Sequence, residues 1–223
     1  MFSELANTSI FKGVKTSEII QLLSSVNYKV HSYEPENVIA FASDDCRNLF
    51  ILLKGSVRGE MRSYNDKNIV ISEIHAPDTF AEGFLFADRN KLLVNIIAAT
   101  KAKVLIISKD ELLKLLNKNT QILSNYLNTT SNRFVIVSEK LKFLMFNTVR
   151  GKLAIYLLDL EKEQSDKGSF RLGKTHEELA TLFAITRPAL TRNLLSLKKD
   201  GLIEIDNKEI KIIDRKGLIQ LLN

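Results

Sequence analysis

The stretch KTHEELATLFAITRPALTRNLLSLKKD, residues 174–200, decides the fold. Thr175 stands before His176-Glu177-Glu178, where its hydroxyl can cap free N–H groups in the first turn of a helix and the two acids meet the positive end of its dipole. Leu179, Ala180, Leu182 and Phe183 give that helix an apolar face. Ala184-Ile185 interrupts the pattern, and Thr186 offers a second N-cap. Pro188 falls in the first turn of the next helix, where a missing N–H does no harm. Leu190, Leu194, Leu195 and Leu197 form the predicted buried stripe of this second helix. Arg187, Arg192, Lys198 and Lys199 take its other face, with no acid before Asp200. Two readings fit: an ordinary helical hairpin with a solvated basic face, or a helix-turn-helix whose second helix enters the major groove.

The flanks favour the second reading. Gly201 ends the helix, and LIEI (202–205), a DNK turn and EIKII (209–213) read as a two-stranded hairpin. A basic helix followed directly by such a hairpin is the layout of a winged helix-turn-helix. Upstream, FRL (170–172) reads as a strand and EKEQSDKGS (161–169) as a loop. Thr148–Lys162 reads as a helix with Leu153, Tyr156, Leu157 and Leu160 inward. Asp214–Leu222 is a short closing helix.

Before a hinge at Asn147-Thr148, a long helix is predicted from about Thr120 to Phe146. Leu123, Leu127, Thr130, Phe134, Val137, Leu141 and Leu144 recur along it at alternating spacings of four and three, the seam of a two-stranded coiled coil. A helix packed only on its own β-domain would show such a stripe too. Dimerisation is the favoured expectation, because a helix-turn-helix protein needs two copies to read a two-fold operator. Thr130 is the one polar seam position and a candidate for setting register.

The first half has a different texture. Residues 3–25 suggest a leading helical region with Ile19, Ile20, Leu22 and Leu23 apolar. YKVHSY (28–33), NVIAF (37–41), LFILL (49–53), SVRGEMRS (56–63), NIVISEI (68–74), LVNIIAA (93–99) and KVLII (103–107) then fit six or seven strands of a β-sandwich or barrel. Lys54-Gly55 and Asn65-Asp66 are the predicted turns, and Ser108-Lys109-Asp110 opens a helix. The whole is an α+β chain. Its expected divisions are a β-roll sensor domain (1–118), a dimerisation helix (119–146) and a winged helix-turn-helix domain (147–223).

Composition narrows the function. The net charge is +6, and residues 141–223 hold 15 Lys/Arg against 11 Asp/Glu, so most of the excess lies beside the basic helix, where phosphate neutralisation needs it. Cys46 is the only cysteine, which excludes an intramolecular disulfide and a cysteine-ligated iron–sulfur cluster or zinc site within one chain. No apolar run approaches a membrane span and no secretory signal is evident, so a cytoplasmic protein without membrane contact is expected. The chain shows no nucleophile–base pairing, phosphate loop or ligand cluster, and no enzyme is expected.

The order of β-roll, long helix, hinge and winged helix-turn-helix resembles the family of the cyclic-AMP receptor protein and FNR. LFILLKGSVR (49–58) resembles its strand–turn–strand motif, TFAEGFLFA (79–87) stands at its phosphate-binding cassette, and TRPALTRNLLSLKKDGLIEI resembles its recognition helix and wing. The resemblance implies that Arg187, Pro188, Ala189 and Arg192 face base edges, the two arginines as bidentate partners of guanine. Thr175, Thr186, Thr191 and Lys199 are then phosphate contacts. Pro188 stands where many relatives carry Glu, so the operator should differ from that of the cyclic-AMP receptor protein. RNA polymerase is a further partner if the protein activates transcription.

The effector site departs from the pattern. Glu82 is present, but the adjacent Arg-Ser expected around a cyclic phosphate is Leu92-Leu93, and the adenine-contacting position of the central helix is Val137, followed by Ser138. Cyclic AMP is therefore an unfavoured effector, because a buried phosphate without its Arg is left unpaired. FLFADRNKLLVNIIAA and RPALTR look most like regulators of the hybrid-cluster protein, which respond to nitrosative stress, several through haem. Phe84, Leu85, Phe86, Leu92, Leu93 and Val94 would then line a pocket for a flat cofactor, or else form plain β-roll core. Met61 is the first candidate iron ligand, with His31, His75 and Met145 behind it. The alternative to a DNA-binding regulator is a ligand-binding signalling module whose helix-turn-helix makes protein contacts.

Overall fold

A computed structural model describes residues 1–62, 68–164, 168–207 and 209–222, with only the backbone of Arg62. The chain divides into two compact units, Met1–Arg133 and Phe134–Asn223.

Among the described residues of the first unit, two short helices, α1 (Phe2–Ala6) and α2 (Thr16–Leu23), precede eight strands. These are β1 (Tyr28–Tyr33), β2 (Val38–Ala40), β3 (Asn48–Lys54), β4 (Ser56–Arg62), β5 (Asn68–His75), β6 (Asp78–Phe80), β7 (Asn95–Ala98) and β8 (Ala102–Ser108). They form two four-stranded sheets, ordered β1-β8-β3-β6 and β2-β7-β4-β5, with every pairing antiparallel. Strand β3 is central, and Leu49 through Leu53 are all buried, which is why LFILL is continuously apolar rather than alternating. Phe50 stacks on Phe80 of β6 with ring centroids 5.1 Å apart. The β3–β4 turn requires Gly55: its φ is +83°, and a Cβ there would lie 2.3 Å from the Lys101 carbonyl oxygen. The one-turn helix α3 (Glu82–Leu85) follows β6, and α4 (Lys109–Lys118) follows β8 with the Ser108 hydroxyl accepting from the Glu111 N–H.

Strand β6 is absent from the sequence expectation, since three residues are too few to show alternation. The leading helical region consists of α1 and α2. The predicted Asn65-Asp66 turn, Ser63, part of the 161–169 loop and Lys208 of the DNK turn lie outside the described residues.

Helix α5 (Thr120–Leu144) runs from the first unit into the second. Ile122 and Tyr126, one turn apart, bury against the roll. The second unit continues with α6 (Val149–Glu163), β9 (Phe170–Arg171), α7 (His176–Phe183), α8 (Arg187–Lys199), β10 (Ile203–Asp206), β11 (Glu209–Ile212) and α9 (Arg215–Gln220). The wing is a three-stranded antiparallel sheet, β10-β11-β9. Phe143, near the end of α5, packs on Phe183 and Tyr156 at centroid distances of 4.7 and 6.1 Å. Thr148 caps α6 through the Gly151 N–H at 2.9 Å, so the predicted hinge is also a helix start.

Candidate nucleic-acid interface and effector site

Local chemistry sets the α7–α8 pair. The Thr175 hydroxyl accepts from the Glu178 N–H while the Glu178 carboxylate accepts from the Thr175 N–H, a complete capping box. Ala184 takes the left-handed conformation (φ 55°, ψ 48°) that ends α7, and the Ile185 N–H donates to the Ala180 carbonyl at 2.9 Å. Thr186 caps α8 through the Ala189 N–H, with Pro188 in the first turn. Leu190, Leu194 and Leu197 are buried against Leu179 and Phe183, which fixes the roll of α8 about its axis.

Leu195 corrects the expected stripe. It is 57% exposed, because the core takes positions 190, 194 and 197, and 195, three residues after Arg192 and four before Lys199, falls in the outer row of α8, on its wing side.

The opposite face of α8 is basic and open. Pro188, Arg192 and Lys199 are exposed and recur at spacings of four and seven, so they share one face. Among the described residues Arg192 and Lys199 make no ion pair, and Arg187 reaches only Glu177, at 4.0 Å. Ala189 is half-buried at the base of this face. Of the candidate phosphate contacts, Thr186 serves its cap, and the Thr191 hydroxyl donates to the Arg187 carbonyl at 3.1 Å and lies 3.5 Å from His176 Nδ1. Arg150, which sequence reasoning did not single out, braces the end of α8 through Asp200 at 2.7 Å.

In the first unit Glu82 is 1% exposed, and its carboxylate pairs with Nε of Arg133 on α5. The same guanidinium donates to the Thr79 carbonyl at 2.7 Å and meets Asp78 at 3.2 Å. Tyr126 donates its hydroxyl hydrogen to the Glu82 carbonyl oxygen at 2.8 Å. Burial pushes the Glu82 carboxyl above its ordinary range, and Arg133 opposes that shift. One cation thus serves two carboxylates. The Thr79 hydroxyl, fully buried, has no hydrogen-bond partner among the described residues.

Arg133, Tyr126, Asp78 and Thr79 were not foreseen. One signal was available: Arg133 stands one helical turn before Val137 and so shares its face. Of the predicted lining, Leu85 and Leu92 sit in the roll's core and Phe84 packs against it. Phe86 lies edge-on to Tyr126 at 5.6 Å, while Leu93 is 73% exposed. Val137 and Ser138 are exposed on α5.

The candidate iron ligands do not assemble. Met61 is the last residue but one of β4, whereas His75 pairs with Ser56 at the other end of that hairpin, five residues or about 16 Å away. His31 belongs to the other sheet of the roll. Two axial ligands must approach one iron from opposite sides, and these residues do not fit a haem held by two of them in the roll. Cys46 is buried, with its thiol pKa raised mainly by that burial.

Comparison with known proteins agrees with this anatomy. Residues 30–119 match the cyclic nucleotide-binding domain, and residues 151–221 match the Crp-like helix-turn-helix domain. The cAMP-activated global transcriptional regulator CRP of Salmonella typhimurium is 24% identical over 186 residues, 82% of this chain and 89% of that protein. Among solved structures, the catabolite activator protein of Thermus thermophilus superposes with a TM-score of 0.56 at 19% identity, over 96% of this chain and 98% of that one. A transcriptional regulator from Thermotoga maritima is 33% identical with a TM-score of 0.52, covering 56% of this chain and 96% of its own.

Proposed function

Since the chain belongs to the Crp/Fnr family of transcription regulators, we propose that it acts as a homodimer joined along α5, presenting two copies of α8 to successive major grooves of one operator. The observation that carries this reading is the exposed pair of guanidinium groups in the first half of α8. Arg192, without an ion pair among the described residues, and Arg187, held only by Glu177 at 4.0 Å, make bidentate contacts with guanine, while Lys199, Thr175, Thr186 and Thr191 set the register on the phosphates.

Dimerisation is supported by the surface of α5. Leu123, Leu127, Phe134, Val137, Leu141 and Leu144 are between 37% and 72% exposed, a contiguous apolar row of the kind that marks an association surface. The Thr130 hydroxyl donates to carbonyls of its own helix, so this polar seam position brings no unsatisfied group into the interface. Sedimentation velocity tests the seam: the wild type should sediment as a dimer and Leu141→Glu as a monomer that no longer binds operator DNA. A monomeric wild type that still binds an operator tightly would reject the reading.

The β-roll controls the dimer by binding an effector other than cyclic AMP, although the relative from Salmonella is cAMP-activated. Arg133 is already committed to Glu82 and Asp78, and Leu92 and Leu93 supply no second cation for a phosphate. Titration calorimetry with cyclic AMP should show no saturable heat, and micromolar binding would overturn this part. Haem sensing in nitrosative stress rests on resemblance alone and finds no pair of ligands, so it is not part of the proposal. An effector acts only by binding one arrangement of the two α5 helices more tightly than another.

A further inference from the structure

The second unit holds a cavity of about 540 Å³ between the wing, the start of α7 and the side of α8. Leu194 and Ile210 are buried at its floor, and Leu195 and Ile205 stand partly exposed in its walls. The Lys198 ammonium donates to the Ile205 carbonyl at 3.1 Å, tying the wing to α8 and holding the two apolar walls apart at a fixed spacing. An exposed leucine of α8 and a half-buried isoleucine of the wing leave apolar surface of this cavity in solvent.

Lys174 and Arg171 border the cavity, and the acids they reach lie outside its lining. Lys174 has only a loose partner, Glu139 at 3.9 Å, and Arg171 only Glu209 at 3.6 Å. The one acid in the lining, Glu178, has its carboxylate engaged by the Thr175 N–H and hydroxyl, so it is turned into the α7 cap. A volume in the small-ligand range, apolar walls and two loosely held cations at the edge suit an amphipathic, anionic occupant. We propose that this cavity is a ligand site for an amphipathic carboxylate, its chain or ring on Leu195 and Ile205 and its head at Lys174 and Arg171.

Thr175 and Thr191 also line the cavity. If they contact phosphates, as the DNA-binding reading has it, ligand and duplex compete, and each weakens the other by the same factor. The site itself does not depend on that reading.

Octanoate is the probe, with octylammonium as the charge control, titrated into the full-length protein carrying ¹³C-labelled Leu and Ile methyls. Octanoate should shift the methyls of Leu195, Ile205 and Ile210 saturably, and octylammonium should not. Leu195→Asn, a change at an exposed position, should weaken octanoate about tenfold, the value of one apolar side-chain contact. Lys174→Gln should weaken it while leaving the other methyls in place. Non-operator duplex at low salt should displace bound octanoate. Unmoved methyls at these three residues, equal shifts with octylammonium, or an undiminished affinity in Leu195→Asn would each overturn the site. A duplex that binds without displacing octanoate would overturn the competition alone.

Discussion

Replacing Arg133 with Met isolates the electrostatics of the roll. Glu82 is 1% exposed, and Arg133 is its only cation among the described residues. Without that guanidinium the carboxylate either stays charged in an apolar surround or takes up a proton. Protonation sets the ceiling on the loss. Holding a Glu of ordinary pKa, about 4.3, in its neutral form costs about 1.36 kcal/mol per pH unit above that value, hence at most about 3.7 kcal/mol at pH 7 and about 1 kcal/mol at pH 5. The Asp78 contact adds little, because both partners are more than a third exposed.

The sign follows from linkage. Glu82 already has a folded pKa above its unfolded one, so the folded chain binds more protons, and stability falls as pH rises from the ordinary carboxylate range through the raised value. Removing Arg133 raises the folded pKa further and extends that window upward. Urea unfolding of wild type and Arg133→Met at pH 5 and pH 7 should therefore show a deficit that grows with pH. Adding Glu82→Gln should recover most of it at pH 7 and remove its pH dependence. A deficit equal at both pH values, or one that persists in the double variant, would refute the reasoning.

Other expectations concern the second unit. Phe143→Ala removes a buried ring from contact with Phe183 and Tyr156 and should cost about 3–5 kcal/mol, read as a lowered unfolding midpoint by near-UV circular dichroism. Thr175→Ala breaks the capping box, and a loss of about 1 kcal/mol should appear as a fall of roughly 4–8 °C in the Tm of this unit by calorimetry. Arg192→Ala should weaken operator binding by about 1–3 kcal/mol in a mobility-shift titration while leaving the dimer intact by sedimentation.

What could be read from the sequence was local. Thr175, Ala184 and Thr186 fix both ends of α7 and the start of α8 by interactions reaching three to five residues, so the helix-turn-helix is visible in a 27-residue stretch. Continuous burial of LFILL marks the central strand for the same reason: the pattern sits on contiguous residues. The parts that escaped depend on distant partners. Arg133 and Glu82 are 51 residues apart, and nothing beside either names the other. Leu195 differs from Leu194 only in which side of a turn it occupies, and the wing that leaves it exposed lies beyond the helix. Strand β6 exists because Phe80 pairs and stacks with Phe50, thirty residues earlier.

The central claim is that two copies of α8 read one duplex together. Footprinting of a genomic promoter library at moderate salt tests it most directly. Protection should fall on two half-sites of two-fold symmetric sequence, with centres about 10 base pairs or a multiple of that apart. Protection of a single half-site, or none that survives competition by bulk DNA, would contradict it.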